Sequence, residues 1–278
     1  MMDRSIPMPV STGSLYPLPT LKSIRRLNQL GIQDIELTLQ SNEFFLTFER
    51  KLYMPILPAL LRLVRDGRLC VRSVHAPSIC SAHLTSLWAR KQYLMHSIEI
   101  CNLLDSSILV IHPLHLLVNQ ESALDYLSGN EILLHSVLLP GIDEIVEKAH
   151  SVNVTLALEN IQEWLDEIFF NAPKNMSRFL QDMSHSSFRY TLDLMHAQVP
   201  GVLDDFIDSL SGDIVNIHAS DLLPPTKRVA IGKGVIDWER VMPKLQSLPN
   251  LRQLTVELSN PQTDEIIESV KFLASFMS

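Results

Sequence analysis

Residues 154–160 read Val154-Thr155-Leu156-Ala157-Leu158-Glu159-Asn160, a short apolar and β-branched run that stops on a carboxylate. Such a run reads as a strand buried on both faces, the kind found in parallel sheets. The same design recurs in both directions along the chain. Runs at 6–10, 32–37, 71–75, 108–112, 189–193, 214–218 and 253–258 bring the expected strands to eight. Helical spacing fills the segments between them. Leu18, Leu21, Ile24, Leu27 and Leu30 mark one buried helix face, and Gly31 stands where a helix C-cap glycine belongs. Residues 56–64 followed by Gly67 repeat this arrangement, as do residues 142–149 ahead of Val154.

Strand and helix alternating eight times imply a parallel sheet, and eight such units close into a barrel. An α/β protein, a single (β/α)₈ barrel spanning 1–278, is therefore expected. The length of 278 residues fits one barrel of about 250 residues with little left over. A dinucleotide-binding sheet lacks its fingerprint here, because Gly232-Lys233-Gly234 comes far too late in the chain. Two long connections, 39–55 and 113–130, are placed to overhang the barrel mouth.

Bulk properties exclude several classes. Hydrophobic residues make up 46%, enough for one large core. No stretch reaches the roughly 18 to 20 apolar residues of a membrane-spanning helix. Residues 1–7 contain no long apolar run of the secretory type, so a soluble, cytoplasmic protein is expected. Cys70, Cys80 and Cys101 form no close pair and leave one over, which argues against a disulfide framework or a cysteine zinc site. The net charge is −8 with Lys and Arg scattered, so nucleic acid is not an expected partner. The oligomeric state stays open, a homo-oligomer included.

The chemistry lies in what terminates the strands. Expected strands three to eight end on His75, His112, Glu159, Asp193, His218 and Glu257, with His196 three residues after Asp193. Any one of these alone is an ordinary cap or hydrogen-bonded residue. In a parallel barrel, however, all carboxyl ends meet at one rim. Three carboxylates and three imidazoles would then crowd one cavity, where like charges repel and raise carboxylate pKa values. A divalent cation removes that penalty. Oxygen-rich coordination with imidazole suits Mn²⁺, Mg²⁺, Co²⁺ or Zn²⁺. Glu36, ending the second strand, either faces this cavity or is a structural polar group of the barrel interior. Glu163 and Trp164 either wall the substrate or begin a helix. His83, His96, His115, His135, His150 and His185 read as structural or solvent-facing, and Lys233 as a loop residue.

With these segments in view, the chain resembles the xylose isomerase-like TIM-barrel superfamily of sugar isomerases, ketose 3-epimerases and endonuclease IV. The resemblance rests on Val74-His75-Ala76-Pro77, Val110-Ile111-His112-Pro113, Leu158-Glu159-Asn160, Leu192-Asp193-Leu194-Met195-His196, Ile217-His218-Ala219-Ser220-Asp221, Gly232-Lys233-Gly234-Val235-Ile236-Asp237-Trp238 and Val256-Glu257-Leu258. These occur in family order over nearly the whole chain. Ser11-Thr12-Gly13-Ser14-Leu15 and residues 31–37 are similar to the family's first two units.

For the epimerase-like branch, the resemblance implies a divalent metal held by Glu159, Asp193, His218 and Glu257. Glu159 and Glu257 then also carry protons in a sugar isomerase or epimerase, by way of an enediolate. It further implies that Arg228 contacts the substrate beside the metal and that His196 hydrogen-bonds a sugar hydroxyl. Read without the family, Arg228 is a solvated loop charge. The implied partner is a small sugar or sugar derivative. For the endonuclease IV-like branch, a zinc phosphoesterase acting on abasic DNA, His75 and His112 hold a second metal and His196 a further one. That branch also needs an Asp-x-His pair where this chain has Thr226-Lys227-Arg228, with neither ligand. Otherwise His75 and His112 shape the substrate pocket. A third alternative is an accessory barrel that binds metal without catalysis.

Overall fold

The computed structural model describes residues 6–40, 43, 46–48, 51–53, 55–77, 87–116, 138, 140–160, 172–198, 202–224, 227–259 and 261–277. Strands β1 (Val10–Ser11) and β2 (Asp34–Thr38) precede an antiparallel hairpin of β3 (Leu46–Phe48) and β4 (Lys51–Tyr53). There follow β5 (Cys70–His75), β6 (Ile108–Ile111), β7 (Thr155–Glu159), β8 (Phe188–Asp193) and β9 (Ile214–Ala219). A second antiparallel hairpin, β10 (Asp221–Leu223) and β11 (Lys227–Val229), comes before the last strand, β12 (Gln253–Val256). The order β1-β12-β9-β8-β7-β6-β5-β2 closes on itself, and every barrel pairing is parallel. This is a (β/α)₈ barrel.

All eight expected strands are present, with one correction. The first was expected at 6–10, yet only Val10–Ser11 is strand. Pro7 and Pro9 accept hydrogen bonds from Leu254 and Val256 through their carbonyls, at 3.0 and 2.8 Å. Having no N–H, they donate nothing in return, and the ladder is one-sided until Val10. The 39–55 connection carries the β3–β4 hairpin. The 113–130 connection begins with a 3₁₀ turn, Pro113–His115, and residues 117–130 lie outside the described part.

Helices α1 (Thr20–Gln29), α2 (Leu57–Arg65), α3 (Leu87–Leu103), α4 (Ile142–Ser151), α5 (Pro173–Met183), α6 (Leu194–Gln198), α7 (Leu203–Ser209), α8 (Trp238–Gln246) and α9 (Thr263–Ala274) alternate with the strands. In α1 the buried face is Ile24 and Leu27, as the spacing predicts. The helix ends at Gly31, φ +79°, which donates to Asn28 O, while Ile32 donates to Leu27 O. A Cβ there would meet nothing within 4 Å, so glycine is needed for its backbone angle and not for space. Gly67, φ +66°, ends α2 in the same way. Among the described residues, no helix is long and apolar enough to cross a membrane. Cys70 and Cys101 are free thiols, and Cys80 lies outside the described residues.

The outward strand residues Leu109, Ile111, Leu156 and Leu158 join one large core beneath the helices. Ile108, Val110, Ala157 and Val215 form a small separate cluster. Several other inner positions are polar: Glu36, Ser73, Thr191, Asn216, Gln253 and Thr255 are all buried. Barrel interiors are more often filled by branched apolar side chains.

Candidate metal centre

Strand side chains alternate between faces, so the residue two before each strand end shares its face. Ser73 therefore stands below His75, Ala157 below Glu159, Thr191 below Asp193, Asn216 below His218 and Thr255 below Glu257. Strand closure then delivers the end residues to one rim, as expected. Glu159 is the hub. Its Oε1 lies 2.8 Å from His218 Nδ1. Its Oε2 lies 3.1 Å from His75 Nε2 and 3.3 Å from His112 Nε2. Glu257 Oε2 lies 3.3 Å from His218 Nδ1. One ligand atom each from Glu159, Asp193, His218 and Glu257 lies within 4.8 Å of all the others, and His75, His112 and Glu159 form a second such group.

Arg228, on β11, closes the cluster from above. Its Nη2 donates to Asp193 Oδ2 and its Nη1 to Glu257 Oε2, both at 2.9 Å. Nη2 also lies 3.2 Å from His196 Nε2. His196 donates Nδ1–H to Asn160 O at 2.8 Å, which leaves Nε2 as an acceptor. Arg228 is thus paired and buried among carboxylates, and the reading as a solvated loop charge fails.

The hydrogen bonds of the imidazoles test whether a cation fits. His75 Nδ1 donates to Ala76 O at 2.7 Å, and His218 Nε2 donates to Glu36 Oε2 at 3.1 Å. The other nitrogen of each ring faces a carboxylate oxygen of Glu159. A neutral ring would set its lone pair against that oxygen. Either a second proton on each ring or a cation between lone pair and carboxylate resolves the conflict. One imidazole and three carboxylates suit a divalent ion. The residues fit such an ion.

Without metal, protons take its place. Burial presses His75 down, but the hydrogen bond and charge of Glu159 outweigh it and raise the imidazole to about 9. Burial likewise opposes His218, which the charges of Glu159, Glu36 and Glu257 hold well above its ordinary value. For Glu159 burial acts upward, yet the His218 charge and the bonds from His112 and His218 hold it well below the usual carboxylate range. Glu257 is also depressed, burial being overcome by Arg228 and then His218.

The sequence reading gave Asn160 no role of its own and left His115 as structural or solvent-facing; the structure gives both a supporting role. Asn160 accepts from Asp193 N at 2.8 Å and donates to Asp193 O at 2.9 Å, which fixes the backbone beneath a candidate ligand. Its position directly after Glu159 was the available signal. His115 is fully buried. It donates Nε2–H to Pro77 O at 2.9 Å and accepts from His112 N at 3.0 Å, tying the loops that follow His75 and His112. Glu36 faces the barrel interior, where its Oε2 meets His218 Nε2 at 3.1 Å. His96 and His150 lie on α3 and α4, and His185 sits just before β8. Lys233 is an exposed loop residue 3.8 Å from Glu268. Glu163, Trp164, His83 and His135 fall outside the described residues.

The chain is thus a closed parallel barrel with carboxylates and imidazoles gathered at its carboxyl rim, the end at which the active sites of such barrels sit. The family profile of the xylose isomerase-like TIM barrel matches residues 24–276, and the chain belongs to that family. Among solved structures, a D-tagatose 3-epimerase-like protein shares 19% identity at a TM-score of 0.73, covering 98% of this chain and 97% of its own. An IOLI protein with a bound zinc atom shares 16% at 0.68, covering 98% of each chain. An AP endonuclease, family 2, from Brucella melitensis shares 12% at 0.69, covering 98% and 99%. These likenesses show the fold. No curated protein matches the chain.

Proposed function

We propose that the chain is a metal-dependent isomerase or epimerase that moves a proton at a carbon beside the carbonyl of a ketose, aldose or related polyol-derived ketone. Glu159, Asp193, His218 and Glu257 would hold one divalent ion from the set Mn²⁺, Mg²⁺, Co²⁺ and Zn²⁺. Such an ion supplies Lewis-acid polarisation of the carbonyl.

One observation carries this reading. Glu159 and Glu257 come from strands separated by β8 and β9 around the barrel, yet both place a carboxylate oxygen beside His218 Nδ1, at 2.8 and 3.3 Å. Two ionised carboxylates therefore face one space. One, ionised, takes the proton from the substrate carbon, and the other, once it has taken up a proton from solvent, returns it to the opposite face or to the neighbouring carbon. Arg228 can exchange a carboxylate partner for a substrate oxygen, and His196 Nε2 can accept from a substrate hydroxyl. The likeness to epimerase-fold neighbours supports the reading.

The His75–His112–Glu159 group favours a second reading, a zinc phosphoesterase with two ions. Two features count against it. Arg228 sets a fixed positive charge between Asp193 and Glu257, where that chemistry needs a further ligand. The net charge of −8 also opposes approach to DNA.

The test is solvent exchange. Metal-stripped protein reloaded with Mn²⁺ is incubated in D₂O with a panel of ketoses and keto-inositols. Deuterium at a carbon next to the carbonyl is the expected result. Cleavage of abasic DNA with no exchange across the panel overturns the proposal.

A further inference from the structure

The polar interior of the barrel forms a connected chain that ends at His218. Gln253 Nε2 donates to Ser73 Oγ at 2.7 Å and to Thr255 Oγ1 at 3.0 Å. Ser73 Oγ donates to Glu36 Oε2 at 2.8 Å, and His218 Nε2 donates to the same oxygen at 3.1 Å. Glu36 belongs to β2 and His218 to β9, which are not neighbours in the barrel, so this bond crosses the interior.

Glu36 is fully buried, and its Oε1 has no hydrogen-bond partner among the described residues. A buried carboxylate with one oxygen unsatisfied is costly, and an apolar side chain would fill the interior of a barrel more cheaply. Residues that break a local packing rule in this way concentrate where function needs them. The bond also selects the tautomer: with Nε2–H committed to Glu36, a neutral His218 carries its lone pair at Nδ1, which points at Glu159 and Glu257. A carboxylate behind a ligating histidine fixes tautomer and orientation and strengthens the ligand.

We propose that Glu36 is the positioning residue of His218, held in place by Ser73 and Gln253, and that it tunes the grip of His218 on a divalent ion. The inference rests on the metal reading given under Proposed function. It concerns this chain's own residues and does not depend on which substrate is used.

The experiment titrates Co²⁺ into metal-stripped wild type, Glu36→Gln and Glu36→Leu, following affinity and the visible Co²⁺ absorption. Glu36→Leu, which removes the acceptor, is expected to lose about 10- to 100-fold in affinity and to show an altered spectrum. Glu36→Gln keeps an oxygen for Nε2–H and should recover part of the affinity and the wild-type band shape. A role confined to packing would not order the variants in this way. If Glu36→Leu does not fold, Ser73→Ala takes its place. That variant leaves Glu36 intact but frees it from one tether, and a measurable loss of affinity is expected. Wild-type affinity and spectrum in every variant that folds overturn the inference alone. No Co²⁺ binding by the wild type overturns both the inference and the metal reading.

Discussion

Arg228 and Asp193 meet through Nη2 and Oδ2 at 2.9 Å, and the other arm of the same guanidinium reaches Glu257 at the same distance. A fixed cation thus spans two of the carboxylates that would also hold the metal. Removing it takes the guanidinium from buried Asp193 and leaves half-buried Glu257 to His218, at a cost of about 3 kcal/mol or more. Arg228→Met should therefore lower the melting temperature of the metal-free protein. Added Mn²⁺ should recover more stability in the variant than in the wild type, because the ion takes over the neutralisation. Equal thermal responses to Mn²⁺ would contradict this account.

Glu257 is the second proposed proton carrier. Glu257→Gln keeps the shape and the acceptor for Arg228 but cannot accept a proton. Deuterium exchange into substrate should fall by at least about 100-fold, within the range that proton transfer contributes, with the circular dichroism unchanged. Exchange at the wild-type rate would remove Glu257 from the mechanism.

His75 and His115 carry opposite pH signatures in the metal-free protein. Burial and the charge of His112 lower His115 to about 3. Below about 6.5 the unfolded chain takes a proton that folded His115 refuses, so stability is present above 6.5 and drains as pH falls towards 3. His75 is raised to about 9, so its contribution is full below about 6.5 and drains as pH rises through 9. Urea unfolding from pH 5 to 10 checks both signs. The stability gap between wild type and His115→Gln should shrink on the acid side, and that between wild type and His75→Ala on the alkaline side. A pH-independent gap in either pair refutes the corresponding assignment.

Metal counting separates the two catalytic readings. On the isomerase reading, His112→Ala retains one ion per chain, since His112 lies outside the four-residue group. On the phosphoesterase reading, the wild type holds two or more zinc ions and the variant one fewer. Elemental analysis of both proteins decides between them.

Much of the barrel was legible because expected strands three to eight share one signature, an apolar run closed by a polar end. Val154 to Glu159 is the clearest case, and the rim it predicts contains each of the six strand-end residues. The first strand, expected at 6–10, begins only at Val10, because Pro7 and Pro9 have no N–H groups to complete the ladder. The support beneath the rim was harder to see. Ser73 and Asn216 each interrupt an apolar strand and Gln253 opens one, a polar signal at inward positions that is readable in principle. Which of them touch depends on barrel closure, since the Glu36–His218 bond joins residues 182 positions apart. Asn160 and His115 act through backbone groups, which spacing alone does not reveal.

Anomalous diffraction from crystals grown with Mn²⁺ tests the central claim most directly. The account predicts one strong peak enclosed by Glu159, Asp193, His218 and Glu257, with Arg228 displaced from at least one of its carboxylates or sharing it with the ion. A rim with no peak among those four residues, in crystals saturated with Mn²⁺, would contradict it.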